Sequence, residues 1–393
     1  MKDVADFGWA AKPLGDLVDV LDRLRKPITK KDRKAGPYPY YGATGVLDHV
    51  DGYLFDEPLV LIGEDGAKWE AGANSAFAIE GKTWVNNHAH VIRPLRDNVL
   101  DDWLIYYLNG ADLMPFISGM TVPKLNQGRL REIPIPLPPL EEQQRIVAVL
   151  DEAFEGLACA RKNAEVNLQN ARELFERQLA EYFLETPDDW IFRKLKQITS
   201  KIGSGATPKG GAGAYKTQGI SLIRSLNIHD RWFKEDKLAF IDDQQADKLS
   251  NVVVDERDVL LNITGASIAR CCVAPSKFLP ARVNQHVSII RPDRDILSPE
   301  FLALMLTSQP YKDRLLKTGE GNGSTRQALT KALIQSLEVA FPPEVAQQEE
   351  AVSVLETAEK KSKELTVAYQ AKLQDVEDLR QSLLQKAFAG ELT

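Results

Sequence analysis

The chain is poor in the groups that build redox, metal or membrane proteins. It has 3 cysteines in 393 residues, and Cys159, Cys271 and Cys272 follow neither a metal-ligand nor a disulfide-framework spacing. No apolar run approaches the length of a membrane span. The first residues include Asp3 and Asp6 and lack the basic-then-apolar pattern of a signal peptide. These absences favour a protein of the reducing cytoplasm.

Motifs of nucleotide chemistry are missing as well. No Asn-Pro-Pro-aromatic or Asp-Pro-Pro-aromatic tetrapeptide marks the catalytic loop of an amino-methyltransferase. No glycine-rich loop ends in Gly-Lys-Ser or Gly-Lys-Thr, so the usual ATP phosphate cradle is absent. His88 and His90 have no third or fourth ligand at a zinc-like spacing. The sequence therefore predicts a chain with no catalytic residues and no metal.

Basic residues are outnumbered by acidic ones over the whole chain, 49 to 56, but are concentrated locally. The net charge of -7 argues against a simple DNA coat, because phosphate binding usually leaves a basic footprint. Residues 22–34 nevertheless contain seven basic and two acidic side chains. Such a run is either a solvated face or a phosphate-binding segment.

Internal repetition is what the chain has in plenty, and repeats report architecture before single residues do. A Pro-Pro pair, a Gln-Gln pair and a long charged helical pattern occur twice. The first two pairs are offset by 204 residues and the helical positions by 205, which places one extra residue after the glutamines. The matching positions are Pro138/Pro342, Gln143/Gln347, Leu150/Leu355, Leu179/Leu384 and Phe183/Phe388.

The repeat predicts two globular heads, at residues 1–137 and 188–341, and two helical arms, at 138–187 and 342–393. In the heads, short β-like runs alternate with glycine-rich turns. Helices are expected over 101–108 and 299–307, where Pro299 suits a first turn. The predicted strands are 58–62, 76–79 and 89–92 in the first head and 252–254, 259–261 and 287–290 in the second.

Each arm carries apolar residues at alternating spacings of three and four, as in a coiled-coil seam. Roughly 45 helical residues reach on the order of 65 Å, which is too long for a helix packed only on its own head. The proline-rich stretch 134–139 is expected to stop any sheet and to begin the first arm. The predicted partner-binding residues are Leu150, Phe154, Leu157, Leu168, Phe175, Leu355, Leu365, Tyr369, Leu373, Leu379 and Leu383.

With this plan, the chain resembles the specificity subunit of Type I restriction-modification systems. The second head departs more from the pattern, at residues 203–208. The segments that carry the resemblance are 38–45 (Tyr-Pro-Tyr-Tyr-Gly-Ala-Thr-Gly), 61–67 (Leu-Ile-Gly-Glu-Asp-Gly-Ala), 84–91 (Trp-Val-Asn-Asn-His-Ala-His-Val), 125–139 and 384–388 (Leu-Gln-Lys-Ala-Phe).

The resemblance implies an α+β fold with two similar mixed α/β target recognition domains. Long helices would join and follow them and form an antiparallel coiled coil. Each domain would read one half of a bipartite site in double-stranded DNA, while the helices set the gap and dock two methylase subunits, with restriction subunits as optional further partners. S-adenosylmethionine, ATP and Mg would be used by those partner subunits, and this chain would bind no cofactor. The alternatives are a reader for a bifunctional restriction-methylation enzyme and a coiled-coil protein-interaction module.

Base-edge hydrogen bonds read DNA sequence, with Asn and Gln suited to adenine and Arg and Lys to guanine. The triplets at 86–88 and 284–286 either cap strand ends or face DNA, and the tyrosines at 38–41 either stack on bases or form a packed turn. In the first head the candidate DNA-binding residues are Lys30, Lys31, Tyr38, Tyr40, Tyr41, Lys68, Asn86, Asn87, His88 and Lys124. In the second head they are Thr207, Lys209, Arg224, Asn227, Asn262, Thr264, Asn284, Gln285, His286, Asn322 and Arg326.

Overall fold

The structure is a computed structural model that describes residues 9–119, 121–208, 210–319 and 328–392. Contacts divide the chain into two compact units. The first unit combines Met1–Val166 with Tyr369–Thr393, and the second is Asn167–Ala368. Both boundaries fall inside long helices. Each unit therefore consists of one head and one half of each arm.

The helices match the predicted plan of short helices in the heads and long helices in the arms. The helix predicted over 101–108 extends two residues further, and the one predicted over 299–307 has those bounds, with its proline in the first turn. None of the described helices contains an apolar stretch long enough to cross a bilayer. The described helices are α1 (Asp101–Gly110), α2 (Gln127–Arg131), α3 (Leu140–Leu184), α4 (Asp243–Asp247), α5 (Pro299–Thr307), α6 (Gln309–Gly319), α7 (Lys331–Ser336) and α8 (Val345–Phe388).

The first unit contains two four-stranded sheets, and a buried strand of one sheet separates two apolar clusters. Strand β6 (Leu59–Gly63) is buried along its whole length. Its alternate residues enter different clusters, Val60 and Ile62 on one face and Leu59 and Leu61 on the other. Burial on both faces explains why this strand reads as one continuous apolar run. The strands are β1 (Ala11–Pro13), β2 (Val18–Val20), β3 (Ala35–Gly42), β4 (Gly45–Val50), β5 (Phe55–Asp56), β6 (Leu59–Gly63), β7 (Ala76–Ile79), β8 (Lys82–Val85), β9 (Ala89–Pro94), β10 (Ile117–Ser118), β11 (Lys124–Leu125) and β12 (Pro134–Pro136).

The second unit repeats this construction. The side chains of strand β20 (Val259–Asn262) again lie in two clusters, with Val259 and Leu261 in one and Leu260 in the other. The strands are β13 (Ile191–Lys194), β14 (Thr199–Ser204), β15 (Ile220–Ile223), β16 (Ile228–His229), β17 (Trp232–Phe233), β18 (Ala239–Ile241), β19 (Val253–Val254), β20 (Val259–Asn262), β21 (Cys271–Val273), β22 (Ala281–Val283), β23 (Val287–Pro292) and β24 (Glu338–Phe341).

Strand order confirms that the two units share one topology. The larger sheets run β2-β9-β6-β7 and β4-β3-β8-β5 in the first unit, and β14-β23-β20-β21 and β18-β15-β22-β19 in the second. Each unit has one parallel pair at the same place, β3 with β8 and β15 with β22. The hairpin β16-β17 has no counterpart among the described strands of the first unit.

The proline-rich stretch does not stop pairing, so that expectation was wrong. Residues Pro134–Pro136 form β12, which pairs antiparallel with β1. Proline is tolerated in a short two-stranded edge because few ladder donors are needed there. Ile135 lies between the two prolines, opposite Lys12, and its side chain is fully buried.

The arms run antiparallel within each unit, and helices α3 and α8 have 45 and 44 residues. In the first unit the Arg380 guanidinium lies 5.2 Å from the centre of the Phe154 ring, and Arg161 pairs with Glu377 at 3.4 Å. In the second unit the Ser362 hydroxyl donates to the Ala171 carbonyl at 2.5 Å. As the residue number increases along α3, the residue number of its partner on α8 decreases, as in an antiparallel pair.

The predicted seam holds on α3 but was wrong at two positions on α8. Leu150, Leu168 and Phe175 are buried, whereas Leu365 and Leu379 are 40% and 50% exposed. Their neighbours, Thr366 and Arg380, are half-buried at the positions that continue the seam. A seam predicted from leucine spacing misses such polar residues, and it also misses Ser362, which is buried.

A buried glutamine ties each arm to its head. Gln143 accepts from Leu100 N at 2.9 Å and donates to Asn98 O at 3.0 Å and Pro138 O at 2.9 Å. Gln348 makes the equivalent bonds to Ser298 N, Ile296 O and Pro342 O, at 2.8, 3.0 and 2.9 Å. Gln143 thus corresponds to Gln348 and not to Gln347, so the extra residue enters before the glutamines.

Candidate nucleic-acid interface

Several loops converge at one end of the first unit, where strands β3, β6 and β8 finish and β9 begins. We call this end, together with the adjoining segment 22–34 that leads from it to the start of β3, the first loop end. Its other residues are 42–45, 63–68, 86–88 and 124–126. Backbone bonds join the loops, from Asn86 N to Tyr41 O at 3.1 Å, Glu64 N to His88 O at 2.8 Å and Leu125 N to Glu64 O at 2.8 Å. Predicted site residues far apart in sequence therefore lie together.

The Asn-Asn-His triplet forms a braced turn in which its members differ in role. Asn86 is buried, and its Oδ1 accepts from His88 N at 2.8 Å. The His88 ring is half exposed and its Nδ1 bonds to the Asp65 carboxylate. Asn87 is exposed and, among the described residues, its side chain has no hydrogen-bond partner. The triplet thus combines a structural asparagine with an available one.

Beneath this turn lies a buried ionic cluster. The ring of His90 is fully buried, with Nδ1 2.6 Å from Asp22 Oδ2 and Nε2 2.7 Å from the Leu125 carbonyl. Each ring nitrogen therefore faces a hydrogen-bond acceptor. Arg25 pairs with Asp22 at 3.3 Å and also with Glu64.

The cluster shifts the acidity of its carboxyl groups. Burial alone would raise the pKa of Asp22, but hydrogen bonds and charge from His90 outweigh it, with Val91 N and Gln127 adding to the effect, and lower that pKa. Burial alone would also raise the pKa of Glu64, but hydrogen bonds from Lys124 and Arg25 outweigh it and lower that pKa. Lys124 Nζ lies 2.8 Å from Glu64 Oε1, and that bond raises the pKa of Lys124.

Ligand atoms of Asp22, Glu64 and His90 lie within 4.8 Å of one another, which is close enough for a metal. Protein cations already supply the positive charge, because Arg25 contacts both carboxylates and Lys124 contacts Glu64. The arrangement therefore functions as an internal ionic support for the loops around it.

The basic segment divides into inward and outward side chains. Arg25 is held inside, and Arg33 stacks 4.4 Å above the Tyr40 ring and pairs with Asp48. The outward cations are exposed and, within the described ranges, have no ion-pair partner. They are Arg23, Lys26, Lys30, Lys31 and Lys34, together with Lys68 from the loop after β6.

The predicted tyrosines behave mainly as packing residues. Tyr40 is 1% exposed, and its hydroxyl accepts from Ile28 N at 2.9 Å. Tyr41 packs against Phe77 with ring centres 6.0 Å apart, and Tyr38 meets Tyr53 edge to face at 5.2 Å. The half-buried rings of Tyr38 and Tyr41 retain some exposed surface.

The second unit has an equivalent loop end, comprising residues 204–208, 223–227, 262–267, 284–286 and 328–330. Asn284 is buried and its Oδ1 accepts from His286 N at 3.0 Å, while Ile263 N donates to His286 O at 3.0 Å. His286 Nδ1 bonds to Thr264 Oγ1 at 2.6 Å, in the place of the His88–Asp65 pair. The backbone frame is therefore the same in both units.

The interior beneath the second loop end carries no such charge. Strand registers match His90 to Ser288, Glu64 to Ile263 and Lys124 to Ala328. The buried ionic cluster thus belongs to the first unit alone among the described residues, and the two loop ends share a frame while differing in chemistry.

Two predicted residues of the second head are interior supports. Asn227 is fully buried, with Oδ1 accepting from Arg224 N at 3.1 Å and Nδ2 donating to Lys234 O at 2.9 Å. Asn262 is fully buried and donates to Ser225 O at 2.9 Å. Thr207 bonds to Gln285, and Arg224 donates to Lys237 O. The predicted residues Lys209, Asn322 and Arg326 lie outside the described residues.

Sequence reasoning missed Arg25, Asp22 and Glu64 as site residues. In the sequence, Asp22 and Arg25 are one aspartate and one arginine of the basic run 22–34. Nothing in that run shows which side chains point inward. Their roles emerge only when β6 and β9 bring residues 64 and 90 beside it.

The residues predicted to bind partners divide by exposure. Leu150, Leu168, Phe175 and Leu355 are buried within the units. Phe154, Leu157, Tyr369, Leu373 and Leu383 are half-buried. Leu365 and Leu379 remain exposed on α8, so these two offer apolar surface to another molecule.

The profile of the family described as the Type I restriction modification DNA specificity domain matches residues 7–168 and 187–374. S.HindORF215P of Haemophilus influenzae, a candidate type I restriction enzyme specificity subunit, is 38% identical over 140 residues, which is 36% of each chain. The type I restriction enzyme MjaVIII specificity subunit of Methanocaldococcus jannaschii is 22% identical over 79% of this chain and 77% of its own.

Solved structures show the same fold. The HsdS subunit from Thermoanaerobacter tengcongensis superposes with a TM-score of 0.62 at 19% identity, covering 98% of this chain and 97% of that one. A chain from a structure of complex assembly and conformational transition in the type I R-M system gives 0.68 at 19% identity, covering 98% of both.

Proposed function

The chain belongs to the Type I restriction-modification DNA specificity family, and from this membership we propose that it is the subunit that reads DNA for such a system. Each unit reads one half of a bipartite double-stranded site through its loop end. The observation that carries the proposal is the frame shared by the two loop ends, on which different side chains are mounted. Two readers of different half-sites need that combination.

Local charge supports DNA binding despite the net charge of -7. The outward cations of the first loop end are unpaired among the described residues, so they are available to phosphates. Counterion release from such contacts supplies sequence-independent affinity. The exposed polar side chains of the braced turns can then reach base edges.

The remaining parts of the proposal concern partners. Two methylase subunits dock on the arms, where Leu365 and Leu379 are exposed together with Val354 and Val367. Val354, Leu365 and Leu379 follow one another at spacings of 11 and 14 residues, so they recur on one face of α8 and offer that face to a partner. The chain itself is non-catalytic and binds no cofactor, and it acts in the cytoplasm. S-adenosylmethionine, ATP and Mg serve the methylase subunits and any restriction subunits.

Methylome sequencing tests the proposal directly. The chain is coexpressed with its methylase subunit in a methylation-free bacterial host, and modified adenines are mapped across the genome. We expect a two-part motif with a fixed unspecified gap that disappears when this chain is omitted. A stable complex without any such motif contradicts DNA reading, and failure to form a complex favours the protein-interaction alternative.

The double substitution Lys30→Ala/Lys31→Ala should weaken DNA binding by the assembled complex to a similar extent on all sequences. Loss of two phosphate contacts should also lower the slope of log affinity against log salt by about two. Titrations of labelled duplex at several salt concentrations measure both quantities. Lys12→Ala/Lys196→Ala removes the same charge from exposed positions outside the loop ends, and its slope should stay that of the wild type. Equal slopes for all three proteins would exclude these phosphate contacts.

A further inference from the structure

The turn before β9 presents one free amide on a rigid support. Asn87 is flanked by buried Asn86, whose backbone N–H donates to Tyr41 O at 3.1 Å, and by His88, whose carbonyl accepts from Glu64 N at 2.8 Å. The His88 ring is fixed as well, by Asp65. Among the described residues nothing bonds to the Asn87 side chain. Both neighbours are held, so the amide projects from a preorganised position.

The matching residue of the second unit is not free. Gln285 accepts from the Thr207 hydroxyl through Oε1, and its Nε2 lies 3.0 Å from His286 Nε2. The Gln285 amide is thus positioned to donate to that ring nitrogen, while the other ring nitrogen, Nδ1, faces Thr264 Oγ1. Both ends of the Gln285 amide are thus engaged within the fold. Equivalent backbone positions therefore carry a free amide in one unit and a bonded amide in the other.

Resting on the proposed function, we propose that Asn87 is a specificity-determining residue that reads one adenine in the half-site of the first unit. An asparagine amide offers one donor and one acceptor side by side. In the major groove that pair matches adenine, which presents the N7 acceptor and the N6 donor. Guanine presents two acceptors there, and cytosine a single donor. The amide therefore selects adenine among the four bases.

The first test is the methylome of Asn87→Ala in the assembled complex. One A·T position in one half-site should become degenerate, while the other half-site and the gap stay unchanged. Asn98→Ala is the matched control, because Asn98 is an exposed asparagine beyond the opposite end of β9, and it should give the wild-type motif. An unchanged motif in Asn87→Ala, or loosening at a G·C position, would overturn the assignment.

The second test isolates the hydrogen bond. Duplexes carrying 7-deazaadenine at the loosened position lack the N7 acceptor, and their binding to the complex is compared with that of normal duplexes. The wild type should lose about tenfold or more in affinity, and Asn87→Ala should bind both duplexes equally. Equal losses in the two proteins would show that another group reads N7. A wild-type complex without any bipartite motif would contradict the proposed function itself, so the two failures are distinguishable.

Discussion

Asp22 receives hydrogen bonds from two elements of the first unit, β9 and α2. Its carboxylate accepts from His90 at 2.6 Å, Val91 N at 2.9 Å and Gln127 Nε2 at 3.0 Å, and Arg25 lies 3.3 Å away. The loop that begins at Asp22 carries the outward cations. The internal support and the proposed phosphate contacts are therefore adjacent in the chain.

Asp22→Asn should lower the unfolding free energy by about 3 kcal/mol at pH 7, because it removes the buried carboxylate that accepts from His90 and pairs with Arg25. The folded pKa of Asp22 lies below the ordinary value of 3.8. Its contribution is therefore fully present above about pH 4 and is lost as the pH falls through the folded pKa. Urea denaturation at pH 7 and at pH 3 should show the difference between wild type and variant shrinking in acid.

Asp48→Asn serves as the control for that comparison. Asp48 pairs with Arg33 at 3.2 Å, but its side chain is 41% exposed. Solvent screens an exposed pair, which therefore contributes little to stability, so this variant should remain near the wild type at neutral pH. A loss for Asp22→Asn no larger than that for Asp48→Asn would contradict the role assigned to the cluster.

At the scale of elements, the adjacent glutamines at the start of α3 provide a matched pair. Gln143→Ala leaves Leu100 N, Asn98 O and Pro138 O without the buried side chain that bonds to them, which should cost about 1 to 3 kcal/mol. Gln144 is exposed, and Gln144→Ala should stay within about 0.5 kcal/mol of the wild type. Chemical denaturation measures the unfolding free energy of both variants. Similar losses in the two would contradict the proposal that Gln143 ties the arm to its head.

Periodicity predicted the central strands of the cores well because these strands are long apolar runs. Strands β6, β7, β9, β20 and β23 and helices α1 and α5 lie at or near their expected positions. The errors arose where tertiary contacts override local preference. Prolines entered β12 because β1 pairs with it, and Arg380 replaced Leu379 in the seam because the Phe154 ring accepts its guanidinium.

The candidate site was predictable only in part. Residue types identified the loops. Residues 64–68, 86–88 and 124 are brought together by β-strand pairing, which could not be inferred from three segments that are separate in the sequence. Which asparagine of a triplet faces inward depends on hydrogen bonds across strands. Asn86, Asn227, Asn262 and Asn284 are all buried, whereas composition gives them the same status as Asn87.

At the scale of the whole molecule, two helical segments connect the units, at residues 166/167 in α3 and 368/369 in α8. Inserting one heptad into each segment preserves the seam and adds about 10.5 Å, or roughly three base pairs. If the helices set the gap, the methylated motif should gain that spacing with both half-sites unchanged. A heptad in only one arm breaks the antiparallel register and should abolish methylation. An unaltered gap in the double insertion would exclude the ruler.

The division of the chain also orders its biosynthesis. Leu384, Ala387 and Phe388 complete the core of the first unit, with the Phe388 ring 4.8 Å from Trp103 and 5.1 Å from Tyr107. Residues 167–368 form a continuous segment and leave the ribosome earlier, at about 5–20 residues per second. The unit encoded second can therefore close first. The unit encoded first keeps this part of its apolar core uncovered until residues 384–388 have been synthesised.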